Sequence, residues 1–179
     1  MRRRRGLTLV TLIAGAVAVL AVGSYATADS GKRNVSTGPM SGYLEGAPGG
    51  PVSSAASGSF EATIDDEASE IDFTLTFSDL EASVLFAHIH FGQRSVNGGV
   101  AAFLCGGGGK PACPQSGTVT GTIVPADVVG PATQGIAAGE FDELVAAIRA
   151  GRTYANVHST KFPPGEVRGQ INDDNQRDD

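Results

Sequence analysis

Alternation of apolar and polar residues is the clearest pattern in the middle of the chain. In IDFTLTF, residues 71–77, every second residue is apolar and the residues between them are Asp or Thr. Such a period of two is typical of a strand that buries one face and leaves the other in solvent. The run SFEATI, residues 59–64, alternates in the same way and is separated from the first by the polar DDEASE. Together the two runs predict a β-hairpin.

Five further runs predict strands, because they are apolar or alternating and are bounded by glycine-rich or polar segments. They are SVLFAHIHF (83–91), GGVAAFLC (98–105), GTVTGTIVP (117–125), TYANVHS (153–159) and GEVRGQI (165–171). One segment has a helical period instead, since Phe141, Leu144, Val145 and Ile148 follow the i, i+3, i+4, i+7 spacing of an amphipathic helix. About seven strands with one short helix predict an all-β sandwich with Greek-key connections.

The first 28 residues have the three parts of a secretory signal peptide. Arg2–Arg5 form a basic start, Leu7–Val22 form an apolar stretch, and Ala26–Ala28 provide a small-x-small cleavage site. We expect cleavage after Ala28. An uncleaved membrane anchor is the alternative, but the apolar stretch of about 16 residues is shorter than the roughly 20 that span a bilayer.

The rest of the chain divides by composition. Residues 29–58 are rich in Gly, Ser, Pro and Ala without periodicity, which predicts a flexible linker. Residues 59–171 hold all the predicted strands and form the expected folded domain, whose size suits a single core. Residues 172–179 are acidic and have no apolar anchor, so we expect a disordered tail.

Charge limits the classes of partner. The full chain has 13 basic and 19 acidic residues, and loss of the four signal-peptide arginines leaves nine basic residues, a net charge of −10. With no basic stripe, nucleic acid and anionic membrane are excluded as partners of the mature chain. The expected partner is an extracellular protein or a small ligand, and nothing in the sequence points to an oligomer, so we expect a monomer in the cell envelope or the medium.

The two cysteines agree with export. Cys105 and Cys113 flank GGGGKPA, and in an oxidising compartment such a pair predicts a disulfide bond. A thiolate metal pair is the alternative, but zinc-binding cysteines usually lie two to four residues apart.

The three histidines of the chain all lie on predicted strands. His88 and His90 share one strand face, where residues two apart are separated by about 6.6 Å, a spacing that lets two imidazoles bind one metal ion. His158 lies on another predicted strand. If it meets the other two, the three rings form a metal site, and imidazoles without a nearby thiolate suit copper or zinc. The alternative is that the histidines are structural and satisfy backbone groups or an acidic neighbour.

Motifs of common enzyme classes are missing from the sequence. There is no G-x-S-x-G nucleophile elbow, and CGGGGK lacks the Ser or Thr and the strand-to-helix context of a phosphate-binding loop. Enzyme activity is therefore the less favoured interpretation, and no catalytic residue is assigned.

Two motifs together resemble the CHRD domain family, first recognised in chordin and widespread in exported bacterial proteins. They are AHIHFGQ, with its histidine pair, and the later run from Ala150 to Ile171, with its AG-x-x-Y-x-NVH and PGE-x-RGQI patterns. The resemblance implies an immunoglobulin-like β-sandwich over residues 60–171. It implies no defined reaction.

A more distant likeness is to the copper/zinc superoxide dismutases, which are also Greek-key sandwiches. FAHIHFG is similar to their H-V-H-x-F-G strand, and RTYANVHS is similar to a later strand that ends in a copper-binding histidine. By this likeness His88, His90 and His158 correspond to three copper ligands. The bridging histidine and the histidine ligands of zinc have no counterpart here, so a complete dismutase site is not expected.

The family resemblance also suggests residues that support the histidines. Glu166 is predicted to accept a hydrogen bond from a histidine N–H, as metal-bound imidazoles usually need, with Arg168 beside it on the same face. Asn156 is predicted to brace the neighbouring turn. The alternative for Glu166 and Arg168 is a surface ion pair worth at most about 1 kcal/mol.

Three functions remain open on the sequence alone. The first is an exported CHRD-type binding module that holds one copper or zinc ion through its histidines. The second is a copper-dependent redox enzyme of the superoxide dismutase kind. The third is an adhesion or matrix domain whose histidines are structural.

Overall fold

The computed structural model describes residues 31–46 and 48–173. This part of the chain contains one α-helix and nine strands, all paired antiparallel. The elements are β1 Lys32–Thr37, β2 Met40–Ser41, β3 Ser57–Asp65, β4 Glu70–Ser78, β5 Val84–Phe91, β6 Gly99–Cys105, β7 Gly117–Ile123, α1 Phe141–Arg149, β8 Thr153–Ser159 and β9 Val167–Asp173. The predicted signal peptide and the last six residues of the predicted tail lie outside the described residues.

The strands hydrogen-bond in the order β6-β5-β8-β9-β1-β3-β4-β7, and the short β2 pairs with both β3 and β9. One half of this order, β6-β5-β8-β9, packs against the other, β1-β3-β4-β7, through a single hydrophobic core. Two strands return to neighbours placed earlier in the chain, β7 to β4 and β8 to β5, as Greek-key connections do. The predicted all-β sandwich with one short helix is confirmed.

The core follows the alternation read from the sequence. The apolar residues of β4 are all buried, while Asp72, Thr74 and Thr76 between them are exposed. Its partner β3 pairs with it over its whole length and confirms the predicted hairpin. On the opposite half of the sandwich, β5 contributes Ala87 and Ile89, both fully buried. The hydrophobic core therefore takes one face from each half.

Helix α1 closes one end of the core. It buries Phe141, Leu144, Val145, Ala147 and Ile148, the side that the helical spacing predicts. Acidic residues occupy its first turn and a basic residue its last turn, which is the favourable arrangement for the helix dipole.

The prediction that residues 29–58 form a flexible linker is wrong for residues 31–46 and 48–58, which belong to the folded domain. Strand β1 pairs with β3 on one side and with β9 on the other, so it joins the two halves of the sandwich. Val35, Met40 and Ala56 are buried in the core. The strands of this segment are too short to show a visible period in the sequence. Backbone pairing with the rest of the sheet holds them in place, although the composition of the segment is typical of a linker. The folded domain therefore begins well before Ser59.

The disulfide bond between Cys105 and Cys113 is present, which confirms the predicted pairing. It ties the end of β6 to the loop that follows. Gly106 in this loop has φ of +77°, and a Cβ there would lie 2.3 Å from the carbonyl oxygen of Leu85, so only glycine fits. None of the described helices has the length and apolar character needed to span a membrane.

Candidate metal centre

Strands β5 and β8 bring the three histidines together. Because side chains alternate along β5, His88 and His90 point away from the hydrophobic core that Ala87 and Ile89 enter. The register pairs Phe86 with His158 on β8, so the third histidine falls on the same face as the first two. Residues 70 positions apart in the chain thus become neighbours, as the metal hypothesis required.

The three rings form a compact and buried cluster. Each offers one ligand nitrogen, and these nitrogens all lie within 4.8 Å of one another. The ring centres are 4.5 Å apart for His88 and His158, 4.9 Å for His88 and His90, and 5.7 Å for His90 and His158. Relative exposures of 4%, 8% and 3% for His88, His90 and His158 show that solvent hardly reaches them.

Two backbone carbonyls set the orientation of the rings. The Nδ1 of His90 lies 3.0 Å from the carbonyl oxygen of Gly98, and the Nδ1 of His158 lies 2.9 Å from that of Pro163. A carbonyl only accepts, so each Nδ1 carries the proton and each Nε2 presents a lone pair. The His90 Nε2 then accepts a hydrogen bond from the Nδ1 of His88, at 2.9 Å.

The lone pair of His158 Nε2 is left without a partner. This atom is buried and makes no hydrogen bond within residues 31–46 and 48–173. A buried polar atom without a partner costs about 1–3 kcal/mol, so such atoms are uncommon unless something binds them. With zinc–nitrogen bonds of about 2.1 Å, two nitrogens on one ion lie at most about 4.2 Å apart. Ring rotations that move the nitrogens by a fraction of an ångström bring this set into range, so the residues fit a metal ion.

Aromatic rings enclose the cluster. Phe86 stacks on His88 at 4.7 Å between ring centres and also contacts His158 at 4.9 Å. Phe103 on β6 meets His88 edge-on at 4.8 Å, and Tyr154 lies parallel to His90 at 4.8 Å. These contacts hold the imidazoles in place and keep the space between them apolar.

Burial keeps the three imidazoles neutral. Desolvation is the main cause that lowers the pKa of His88 to about 2, with the neighbouring His158 and His90 acting in the same direction. Desolvation likewise lowers the pKa values of His90 and His158 to about 4, against the opposing effect of their backbone hydrogen bonds. A neutral imidazole is the form that binds metal, so the rings are ready to bind over the whole neutral range.

Arg168 reaches the cluster through Tyr154. Its guanidinium carbon lies 3.4 Å from the centre of the Tyr154 ring, which also stacks on His90. The side chain is 1% exposed and donates to the carbonyl oxygen of Gln93 at 2.7 Å and to Asn97. Arg168 thus lies near the histidines and contacts them through the Tyr154 ring, not by hydrogen bonding to an imidazole.

Glu166 does not have the predicted role. Its Oε1 accepts hydrogen bonds from the Ser54 hydroxyl at 2.7 Å and from the backbone N–H of Glu81 at 2.8 Å. The histidine N–H groups of His90 and His158 go to backbone carbonyls instead. The residue precedes β9, and its fully buried carboxylate fastens two loops.

Asn156 also binds a residue that the sequence did not indicate. Its side-chain amide donates to Oε1 of Glu45 at 2.7 Å and to the carbonyl oxygen of Val167 at 3.2 Å. Glu45 is 6% exposed, and desolvation raises the pKa of its carboxyl to about 7. Sequence analysis missed Glu45 because it lies in the segment predicted to be a linker. A lone glutamate in a Gly/Pro-rich run carries no signal of burial.

Comparison with known proteins gives one match. The sequence profile of the CHRD domain matches residues 40–171, so the chain belongs to the CHRD domain family. The match starts near β2, before the boundary at residue 59 that composition predicted. No curated protein and no solved structure matches the chain.

Proposed function

We propose that this CHRD-domain chain is an exported binding module that holds one copper or zinc ion through His88, His90 and His158. The ion would join β5 to β8 and act as a Lewis acid bound by three neutral nitrogens. The protein's part is to orient the rings, keep them neutral and exclude water from the space between them. The side chains and backbone groups for these tasks are close to position, and an ion that draws on His90 Nε2 would replace the hydrogen bond that this atom accepts from His88 Nδ1.

The convergence of three ring nitrogens within 4.8 Å, with the Nε2 of His158 left without a hydrogen bond among them, is the observation that carries this proposal. A structural histidine in a core normally satisfies both ring nitrogens, since an unpaired lone pair lowers stability. Here the Nδ1 of His158 donates to the carbonyl of Pro163, whereas its Nε2 faces the other two imidazoles and accepts no hydrogen bond. The adhesion alternative, in which the histidines only support the fold, gives no reason for three ring nitrogens to converge on one point.

Enclosure favours binding over turnover. Catalytic metal sites keep one position open to water or substrate, whereas structural and storage sites are closed. The rings of Phe86, Phe103 and Tyr154 cover the histidines, which are therefore nearly inaccessible to solvent. A redox enzyme of the superoxide dismutase kind would need a path for its substrate to the metal, so it is the less favoured function.

Export is supported by the disulfide bond, which persists in oxidising compartments and is rare in the cytosol. The predicted signal peptide also indicates export. In such a compartment a closed histidine site would retain a metal ion, for use by the domain itself or for transfer to a partner.

Metal analysis of the mature domain tests the proposal directly. The protein should be expressed without a histidine tag, stripped with a chelator, and titrated separately with copper and with zinc. We expect one ion per chain, with nanomolar or tighter affinity, and loss of binding in His158→Ala. Val157→Ala is the matched control, because it truncates the buried neighbour of His158 on β8 whose side chain enters the opposite, apolar face.

Two outcomes would contradict the proposal. One is the absence of stoichiometric binding of either metal to folded wild-type protein. The other is unchanged metal content in His158→Ala, which would place any bound ion elsewhere.

A further inference from the structure

The charges around the histidine cluster indicate which ion it prefers. All three donors are neutral imidazoles, and no carboxylate or thiolate joins them within the described residues. A bound ion therefore keeps its full charge inside a dry site. The cost of removing an ion from water rises with the square of its charge, so it is roughly four times larger for a dication than for a monocation.

A buried cation adds to this cost. Stacking through Tyr154 places the guanidinium of Arg168 within about 8 Å of the His90 ring. Its hydrogen-bond acceptors, Gln93 and Asn97, are neutral, and in the described ranges no carboxylate lies within the 4.0 Å that would make an ion pair with it. The Glu45 carboxyl acts on Arg168 at longer range, but burial raises the pKa of this carboxyl to about 7, so at neutral pH it offsets only part of the Arg168 charge. The field of Arg168 therefore repels each unit of positive charge placed between the histidines, and it repels a dication twice as strongly.

The coordination number points the same way. Zinc in proteins almost always takes four ligands, so a three-histidine zinc site needs water or another donor in the fourth position. Apart from the other two histidines, the rings that contact His88 are those of Phe86 and Phe103, which offer no lone pair. Three nitrogens under an apolar cover suit an ion that is satisfied with three ligands.

We infer that the ion held by this site is monovalent copper, Cu⁺. This inference rests on the proposed function and names its ligand more narrowly. Cu⁺ carries a single charge, accepts three-coordination and needs no bound water. Arg168 then acts as a selectivity residue that excludes divalent ions without touching the metal.

Competition with chelators of known affinity tests the inference. Metal-free mature protein is titrated anaerobically with Cu⁺ against a colorimetric Cu⁺ chelator, and in parallel with Zn²⁺ and Cu²⁺ against chelators of those ions. We expect one Cu⁺ per chain with a dissociation constant at least about tenfold lower than that for Zn²⁺, because a charge difference of one unit in this field is worth that much. The Cu²⁺ ion should also bind less tightly than Cu⁺.

Two variants test the two physical causes separately. Arg168→Gln removes the buried charge and should narrow the ratio of Zn²⁺ to Cu⁺ dissociation constants roughly tenfold. Arg152→Gln, the same change at an exposed position, should leave the ratio unaltered. Phe103→His supplies a fourth imidazole next to His88 and should tighten Zn²⁺ more than Cu⁺. If Arg168→Gln does not fold, judged by circular dichroism, Phe103→His still decides the coordination argument.

The outcomes separate this inference from the proposed function. A divalent ion that binds as tightly as Cu⁺, or tighter, overturns the preference for Cu⁺ and leaves a metal-binding histidine site in place. Failure of every ion to bind overturns both. A selectivity ratio that stays constant in Arg168→Gln and in Phe103→His shows that neither the charge nor the apolar cover sets the preference.

Discussion

The β6-β5-β8-β9 half of the sandwich is buried on both faces, and the two faces are built in opposite ways. One face carries small and branched apolar residues and packs against β1-β3-β4-β7. The other carries polar side chains that are almost as buried. On β5, β8 and β9 these are His88, His90, Tyr154, Asn156, His158, Arg168 and Gln170. Apolar contact is non-directional and tolerates small changes, whereas each polar group needs its own partner.

The polar face is buried because two irregular segments cover it. The chain around Glu45 and Gly46 approaches Arg168, and a Cβ at Gly46 would lie 2.8 Å from the guanidinium. The loop after β5 supplies the carbonyls of Gln93 and Gly98 that bind Arg168 and His90. Loops therefore provide the acceptors for this face, and a sheet provides the contacts for the other. The polar face is specified by hydrogen bonds and is where a ligand can bind.

The largest expected effect comes from a change on the apolar face. Ile89→Ala removes a fully buried side chain and leaves a cavity, which should lower the free energy of unfolding by about 3 kcal/mol. The folded variant should still bind metal, because Ile89 points away from His88 and His90. Urea denaturation of the metal-free protein measures the first effect, and a metal titration measures the second. Val96→Ala, at a partly exposed position, is the control for truncation alone.

A loss of metal binding in folded Ile89→Ala would show that the two faces are coupled. It would mean that the position of β5 in the core sets the histidine geometry, and the comparison between a structural face and a ligand face would need revision.

The next effect belongs to the polar face. Copper at a free concentration 100 times its dissociation constant should stabilise the wild-type protein by about 2.7 kcal/mol. His158→Ala should lose this increment, and Val157→Ala, on the apolar face of the same strand, should keep it. The midpoint of thermal or urea unfolding, with and without metal, gives the measurement. Equal stabilisation of His158→Ala would point to binding outside the cluster.

The two faces also differ in how far the sequence predicts them. A period of two identifies the strands, the apolar face and the histidine pair, because alternation depends only on local chain geometry. The meeting of His158 with His88 and His90 depends on the register of β5 against β8. No local pattern contains that register, and the family resemblance only suggested it.

The sequence did not predict the irregular segment around Glu45 that covers the polar face, and the reason is physical. Residues 42–46 and 48–54 are held by close backbone approaches, such as that of Gly42 to the carbonyls of Val52 and Glu166, and by isolated polar contacts. Such contacts leave no periodic trace, so a Gly/Pro-rich segment looks like a linker. Both the misplaced domain boundary and the overlooked Glu45 follow from this single cause.

A smaller effect tests the corrected role of Glu166. Glu166→Ala removes the acceptor of the Ser54 hydroxyl and the Glu81 N–H, and should lower the free energy of unfolding by about 2 kcal/mol. Glu166→Gln keeps an acceptor oxygen and should lose less. Metal affinity should be equal in both folded variants and in the wild type. A selective loss of metal affinity would restore the residue to the support of the histidines.

The smallest expected effect concerns Glu45 and the dependence of stability on pH. Burial raises the pKa of this carboxyl from 4.5 to about 7, so between these values the folded state binds a proton that the unfolded state has released. Stability from this group is therefore fully present below pH 4.5 and is lost as the pH rises through 7. The histidines act with the opposite sign, because their lowered pKa values make the metal-free protein less stable as the pH falls from 6.5 toward 4.

Glu45→Gln isolates the carboxyl from the histidines. The amide keeps an oxygen to accept from Asn156 but does not ionise, so the variant should gain about 1 kcal/mol relative to the wild type on going from pH 5 to pH 6. The histidine contribution is common to both proteins and cancels in this difference. Urea denaturation of both metal-free proteins at the two pH values gives the result. If the difference in stability does not change with pH, Glu45 is ionised in both the folded and the unfolded state, and Arg168 compensates its charge. The polar face would then carry less net positive charge than its hydrogen bonds indicate.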